Sequence, residues 1–264
     1  MSFFKELFGN RKLIFNLAKN DFKTKYAGSY LGIVWAFIQP VVTVLVYWFV
    51  FEVGLRQTGN AEVPFVLWLI AGLVPWFFFS DALNGGTNSL LEYNYLVKKV
   101  VFKISVLPIV KIISAFFVNA FFILFMLVIY GFYGFYPDVY YLQLIYYIFC
   151  VFMLVLGASY LTSAVVIFFR DLSQIINIIL QIGVWMTPIM WNIDTMGLSP
   201  KITFILKLNP MFYIVQGYRD LLINKVWFFE HLSMTVYFWC FTGVMFILGA
   251  VVFKRLKIHF ADVL

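Results

Sequence analysis

Apolar runs close to membrane-spanning length follow one another through this chain, separated by brief polar punctuation. A helix of about 20 such residues covers the roughly 30 Å of hydrocarbon in a bilayer. Of the 264 residues, 64% are hydrophobic and 12% charged, whereas about 25% are charged in ordinary soluble domains. The fold class implied is an all-α integral membrane protein, with residues 1–264 forming a single transmembrane domain. Spans are expected at approximately 31–53, 64–84, 104–130, 142–169, 172–191 and 232–253, six in all. The N-terminal MSFFKELFGNRK is charged and is followed by further polar residues, so it does not read as a cleaved signal and the first span is expected to be retained.

Lys and Arg in the connections set the orientation. They cluster in the N-terminal arm (Lys5, Arg11, Lys12, Lys19, Lys23, Lys25), after span two (Lys98, Lys99, Lys103), after span four (Arg170) and in the tail (Lys254, Arg255, Lys257). The connection after span one has only Arg56, and that after span three has none. Both termini are therefore expected on the cytoplasmic side. The formal net charge of +7 is accounted for by this bias and by membrane lipids as partners, with no role for nucleic acid. Cys150 and Cys240 lie inside apolar runs and read as packed thiols.

Residues 11–27 read as an amphipathic interfacial helix. At 100° per residue Ile14, Phe15, Leu17, Ala18, Phe22 and Tyr26 share one side, and Lys12, Asn16, Lys19, Asn20 and Lys23 the other. Asp21 and Lys25 interrupt the apolar side, at a spacing that lets them pair. An abrupt Tyr30-Leu31-Gly32 turn then leads into the first span. Residues 192–231 hold two apolar pieces split by Asn209-Pro210, each too short to cross. A seventh crossing would move the basic tail outside, so this region is expected to dip into the outer leaflet and return as a re-entrant hairpin. Backbone of that kind is tolerated only against protein or a water-filled cavity.

Catalytic motifs are absent: there is no G-x-x-x-x-G-K-[ST], H-E-x-x-H or G-x-S-x-G, and the two histidines, His231 and His259, are far apart in sequence. Polar residues within the spans are better organised. Trp35, Gln39, Thr43 and Tyr47 recur every fourth residue in span one, and Gln174, Asn177, Gln181 and Trp185 follow 3, 4, 4 spacing in span five. Such stripes suit a channel wall for sugars, rings stacking on pyranose faces while amides exchange hydrogen bonds with hydroxyls. Ordinary interhelical hydrogen bonding would use the same residues. Lys111, near the cytoplasmic end of span three, is expected to snorkel to the surface. Arg219 and Asp220 read either as an ion pair or as a gate contact. Lys23, Lys25 and Arg170 fall at the cytoplasmic boundary, where phosphate or lipid headgroups would meet them. Residues 91–101, LEYNYLVKKVV, read as a short cytoplasmic helix whose Tyr93, Tyr95 and Leu96 could anchor in a partner's groove, or as a loop on the membrane.

The succession KTKYAGSYLGIVWAFIQP, FFRDLSQIINIILQIGVWMTPIMW, LNPMFYIVQGYRDLL and FADVL resembles the membrane subunits of ABC-2 type polysaccharide exporters, which move O-antigen or wall teichoic acid across the bacterial inner membrane. The resemblance covers essentially the whole chain. It implies six spans, a homodimer, and two copies of a separate ABC subunit that binds ATP and magnesium, with no cofactor in this chain and no enzyme activity of its own. The substrate implied is a polysaccharide linked to undecaprenyl diphosphate. By the same resemblance, residues 11–27 and 91–101, with Tyr93, Tyr95, Leu96 and Lys98, contact the ATPase. Lys23, Lys25, Tyr26, Leu31, Gly32 and Arg170 would flank the substrate entrance, and Met190, Trp191, Tyr213 and Arg219 the outer gate.

Overall fold

The computed structural model describes residues 9–54, 63–97, 103–193 and 196–263. They form helices and turns, with no strand among the described residues. Helix α1 (Arg11–Lys25) comes first. A 3₁₀ turn (Gly32–Val34), α2 (Trp35–Trp48) and a π-helical turn (Phe49–Gly54) make one continuous rod. Then come α3 (Phe65–Glu92), the single turn α4 (Asn94–Val97), α5 (Leu107–Phe132), α6 (Gln143–Val166) and α7 (Leu172–Met186). The short helices α8 (Pro200–Lys207) and α9 (Pro210–Arg219) precede α10 (Leu232–Leu256) and the last turn, α11 (Phe260–Val263).

Five stretches are long and apolar enough to cross a membrane: Gly32–Gly54, Phe65–Glu92, Ile104–Phe132, Val139–Val166 and Phe228–His259. The span expected at 172–191 appears as α7, whose 15 residues extend only about 22 Å. It stops because Thr187 precedes Pro188 and adopts extended backbone, φ −85° and ψ 127°, the conformation a following proline imposes. Gln39-Pro40, by contrast, does not interrupt α2. Proline is tolerated inside helices of this kind where neighbouring groups re-satisfy the backbone.

Helix α3 is the hub, packing on α5, α6 and α9 and more lightly on α2 and α7. It runs eight residues past the expected end at 84, through polar GGTNSLLE. Gly86, Thr87, Ser89 and Leu90 among them are buried, and only Glu92 is exposed. A Cβ on Gly86 would fall 2.1 Å from Ser159 Oγ of α6, so glycine permits the close approach, and the buried Thr87 and Thr162 hydroxyls then meet at 2.8 Å. Helices α6 and α10 approach in the same manner, with a Cβ on Gly249 only 2.6 Å from the Gly157 carbonyl. Small residues that let backbones touch are the usual device where lipid removes any hydrophobic drive between helices.

At 192–231, α8 and α9 meet at Asn209-Pro210. Proline opens both helices, where its missing N–H would be unused anyway. Asn209 caps α9, its Oδ1 accepting the Met211 N–H at 3.0 Å, while its Nδ2 donates to Thr187 Oγ1 at 2.8 Å. Helix α9 is seated among α3, α6 and α10. Two positive-φ glycines, Gly28 (94°) and Gly32 (52°), turn the chain from α1 into α2, backbone that other L residues adopt only with strain.

The α6–α10 crossing predicts a selective result. Gly249→Leu should destabilise the purified protein by about 1–3 kcal/mol through overpacking, lowering its thermal midpoint in detergent. Gly243→Leu on the same helix, where an added Cβ meets nothing within 4 Å, should leave the midpoint unchanged.

Candidate functional site

Helix α1 turns Ile14, Ala18 and Asp21 inward and packs on α5, where Phe15 and Phe22 meet the Phe117 ring edge-on at 5.7 and 5.9 Å. Lys12, Asn16, Lys19, Asn20 and Lys23 point away and are exposed. Asp21 sits on the inner side because it has a buried partner there. Lys111 Nζ donates to Asp21 Oδ1 at 2.6 Å, and the Tyr93 hydroxyl donates to the same oxygen at 2.7 Å. Lys111 also reaches Glu92, at the end of α3, at 2.5 Å. Lys111 is thus held in an internal network and does not snorkel, and the expected Asp21–Lys25 pairing does not form. Lys25 crosses instead to Asp81 of α3, at 2.5 Å. Burial works against the Lys25 charge, but Asp81 more than offsets it and the pKa lies above the usual lysine value. The stabilisation this lysine gains is complete below its unfolded pKa and fades as pH rises through the raised one. Burial also raises the Tyr93 hydroxyl, and its bond to Asp21 adds to the effect.

Between α1, α2, α3 and α5 lie two adjoining cavities, each about 360 Å³, that share Lys25, Asp81 and Asn84. One extends to Tyr26, Trp35, Gln39 and Thr43, with Asn119 of α5 at its wall. The other reaches Asn88, Glu92 and Lys111. Asn119 is 4% exposed, and neither of its amide atoms has a partner among the described residues. The walls offer an indole face, amides, the carboxylates of Asp21, Asp81 and Glu92 and the ammonium groups of Lys25 and Lys111, a set that exchanges hydrogen bonds with hydroxyls. No group of side chains able to hold a metal ion occurs among the described residues.

The two stripes fare differently. Trp35, Gln39 and Thr43 line the first cavity, while Tyr47, one turn further, is half-buried against the core. On α7, Gln174, Gln181 and Trp185 are exposed and Asn177 half-buried. Leu31 and Arg170 are exposed. Among the partner-docking candidates, the Tyr93 hydroxyl is committed inward to Asp21, which removes it as a free anchor. Tyr95 is exposed, Leu96 half-buried, and Lys98 lies outside the described residues. Within 91–101 the described helical structure is the end of α3 and the single turn α4.

Residues 12–223 match the protein family described as ABC-2 type transporter. The chain belongs to that family. An O-antigen export system permease protein RfbA from Myxococcus xanthus is 28% identical over 228 residues, covering 86% of this chain and 84% of the relative. Two Klebsiella pneumoniae proteins of the same name are 27% and 28% identical over 257 and 266 residues, each covering 96% of this chain and 95% of the relative. The multi-pass helical architecture is that of a membrane transporter subunit.

At the far end of this ABC-2 type chain, Met190 is buried and Trp191 donates its Nε1–H to the Trp185 carbonyl at 3.0 Å. The Tyr213 hydroxyl stands 3.0 Å from both the Tyr146 and Thr235 hydroxyls. Arg219 and Asp220 do not pair with each other. Arg219 stacks over Trp68 at 3.6 Å and donates to the Ile189 carbonyl at 2.9 Å. Asp220 accepts from Gln216 and Asn224 at 3.0 and 2.8 Å, with His231 Nε2 at 3.5 Å. Sequence reasoning passed over Asp81, Asn84, Asn88 and Asn119. Their signal was present: the first three follow i, i+3, i+7 spacing and so share a helix face, and Asn119 is a lone amide in an apolar run.

Lys111→Gln would leave the Asp21 carboxylate without a cation, held by the Tyr93 hydroxyl, and should cost about 3–5 kcal/mol, as breaking a buried ion pair does. The check is thermal unfolding in detergent together with protease sensitivity of α1. Combining Asp21→Leu with Lys111→Met should recover most of the loss.

Proposed function

We propose that this chain is the membrane-spanning subunit of an ATP-driven exporter for a polysaccharide of the O-antigen type carried on undecaprenyl diphosphate. The observation that carries the reading is the family match over residues 12–223 together with near full-length similarity to O-antigen export permeases. ATP and magnesium would be handled by two copies of a partner ABC subunit. In the bacterial inner membrane, α7 would make a short sixth crossing, completed by the segment that continues to Met190. Both termini would then be cytoplasmic, and α8 and α9 would form the re-entrant outer hairpin.

The channel in this reading lies at the seam of a homodimer. Its support is the state of α2 and α7. Ile178, Ile179, Ile182 and Trp185 of α7 are exposed beside Gln174 and Gln181, and Val42, Leu45, Val46 and Phe49 are exposed on the first rod. A second copy would cover part of this surface and leave the amides facing the passage. The lipid diphosphate would enter beside Lys25, Tyr26 and the Leu31-Gly32 turn, and the sugars would follow along Trp35, Gln39 and Thr43. The Asp21–Lys111–Glu92 network joins α1 to α3 and α5. Movement of α1 by the ATPase would therefore be transmitted to two long helices.

The test is polymer export by cells carrying single alanine substitutions of Gln39, Gln181 and Trp185. Each should reduce surface polymer several-fold while leaving the amount of protein in the membrane unchanged. Unimpaired export in all three would remove the channel assignment. A cysteine at position 181 should cross-link two copies of the chain under mild oxidation, and its failure to do so in the intact transporter would count against the seam.

A further inference from the structure

A separate cavity of about 230 Å³ lies beneath α9, lined by Trp68, Lys207, Gln216, Arg219, Asn224 and His231 among others. Trp68 and Asp81 are thirteen residues apart on α3, about 20 Å along the helix axis, so this cavity is at the other end of the bundle from the Lys25–Asp81 site. Three of its described lining residues are basic and none is acidic. Arg219 is 1% exposed. Its guanidinium lies 3.6 Å over the Trp68 ring and spends one N–H on the Ile189 carbonyl, while Nε finds no acceptor among the described residues. The neighbouring Asp220 lends it some Coulombic support but makes no direct ion pair with it, its carboxylate being turned to Gln216, Asn224 and His231. Lys207 is exposed and has no ion-pair partner among the described residues. A buried cation with an unused donor is costly, and an oxyanion would satisfy both the charge and the hydrogen bond.

We propose that this cavity is an oxyanion-binding site. A phosphate or carboxylate group enters past Lys207, takes a charge-assisted hydrogen bond from Arg219 Nε and lies beside the Trp68 indole. Whether that group is carried by a lipid headgroup or by a soluble molecule, the chemistry of recognition is the same. The site is independent of the export reading, because binding is measured without polymer or ATPase.

The full chain in phosphatidylcholine nanodiscs is titrated with inorganic phosphate at constant ionic strength, and binding is read by calorimetry. The expected result is saturable binding that weakens about tenfold in Lys207→Gln, the loss of one charged contact, and disappears in Lys207→Glu. Lys207 is exposed at the end of a short helix, so these variants should keep their thermal midpoint; Arg219→Gln, which also loses its bond to Ile189, serves as a second variant expected to abolish binding. In phosphatidylglycerol discs, loss of phosphate binding identifies the headgroup as the occupant, and retained binding identifies a soluble one; either result supports the site. Absence of saturable binding in phosphatidylcholine discs, or binding equally tight in Lys207→Glu, overturns it.

Discussion

Polar groups carried into an apolar bundle must find partners inside the protein, because hydrocarbon offers none. That requirement organises this chain around α3. Its Thr87 meets Thr162 of α6, its Asn88 accepts from Ser173 of α7 at 2.6 Å, and its Leu67 carbonyl accepts from Tyr130 of α5 at 2.8 Å. Three neighbours are therefore tied to one helix by specific bonds, and Gly86 brings α6 close enough for its bond to form. Even in the most polar stretch of α3, Thr87 and Ser89 are buried. In a water-soluble protein the same residues would be expected on the outside.

This inversion explains what the sequence revealed and what it concealed. The apolar runs were legible, and five of them stand as long helices near their expected positions. The end of α3 was misplaced because GGTNSLLE was read as punctuation, when it is contact surface. Asp21 looked like a flaw in an amphipathic pattern; it is the acceptor for Lys111, ninety residues away, and no local periodicity encodes such a partner. Lys111 looked like a snorkelling residue for the same reason. The stripe on α2 was correct as a face, yet what it faces, Asp81, Asn84 and Asn119, depends on how three helices pack. Arg219 and Asp220 are adjacent in sequence but each is drawn to different atoms, Arg219 to a ring and a carbonyl, Asp220 to two amides.

Coverage is uneven in a way that bears on assembly. In the most apolar window of each span, 67% of α3 is buried inside the chain but only 11% of the first rod. Lipid can cover exposed Val, Leu and Ile at no cost, so exposure alone does not demand a partner. Exposed amides are different. Gln174 and Gln181 share a largely apolar helix with exposed Ile178, Ile179 and Ile182, and in hydrocarbon they would go unsatisfied. Water, a ligand or another polar surface has to reach that side of α7, whereas nothing comparable is required of the apolar side of α10.

The two ends of the bundle differ in electrostatic character. Beside α1 the two lysines that reach between helices each have a carboxylate: exposed Lys25 has Asp81, and the more enclosed Lys111 has both Asp21 and Glu92. Pairing lowers the cost of bringing charge out of water and fixes the geometry of the elements that carry it, so this end is suited to holding helices in register and to presenting hydroxyl-binding groups such as Asn84 and Gln39. Beneath α9 the carboxylate of Asp220 is occupied by neutral amides and His231, and the Arg219 guanidinium is left to a π face and one carbonyl. Those contacts stabilise the cation without cancelling its charge. An anion arriving there meets a site already desolvated and oriented, whereas one arriving beside Lys25 must compete with Asp81.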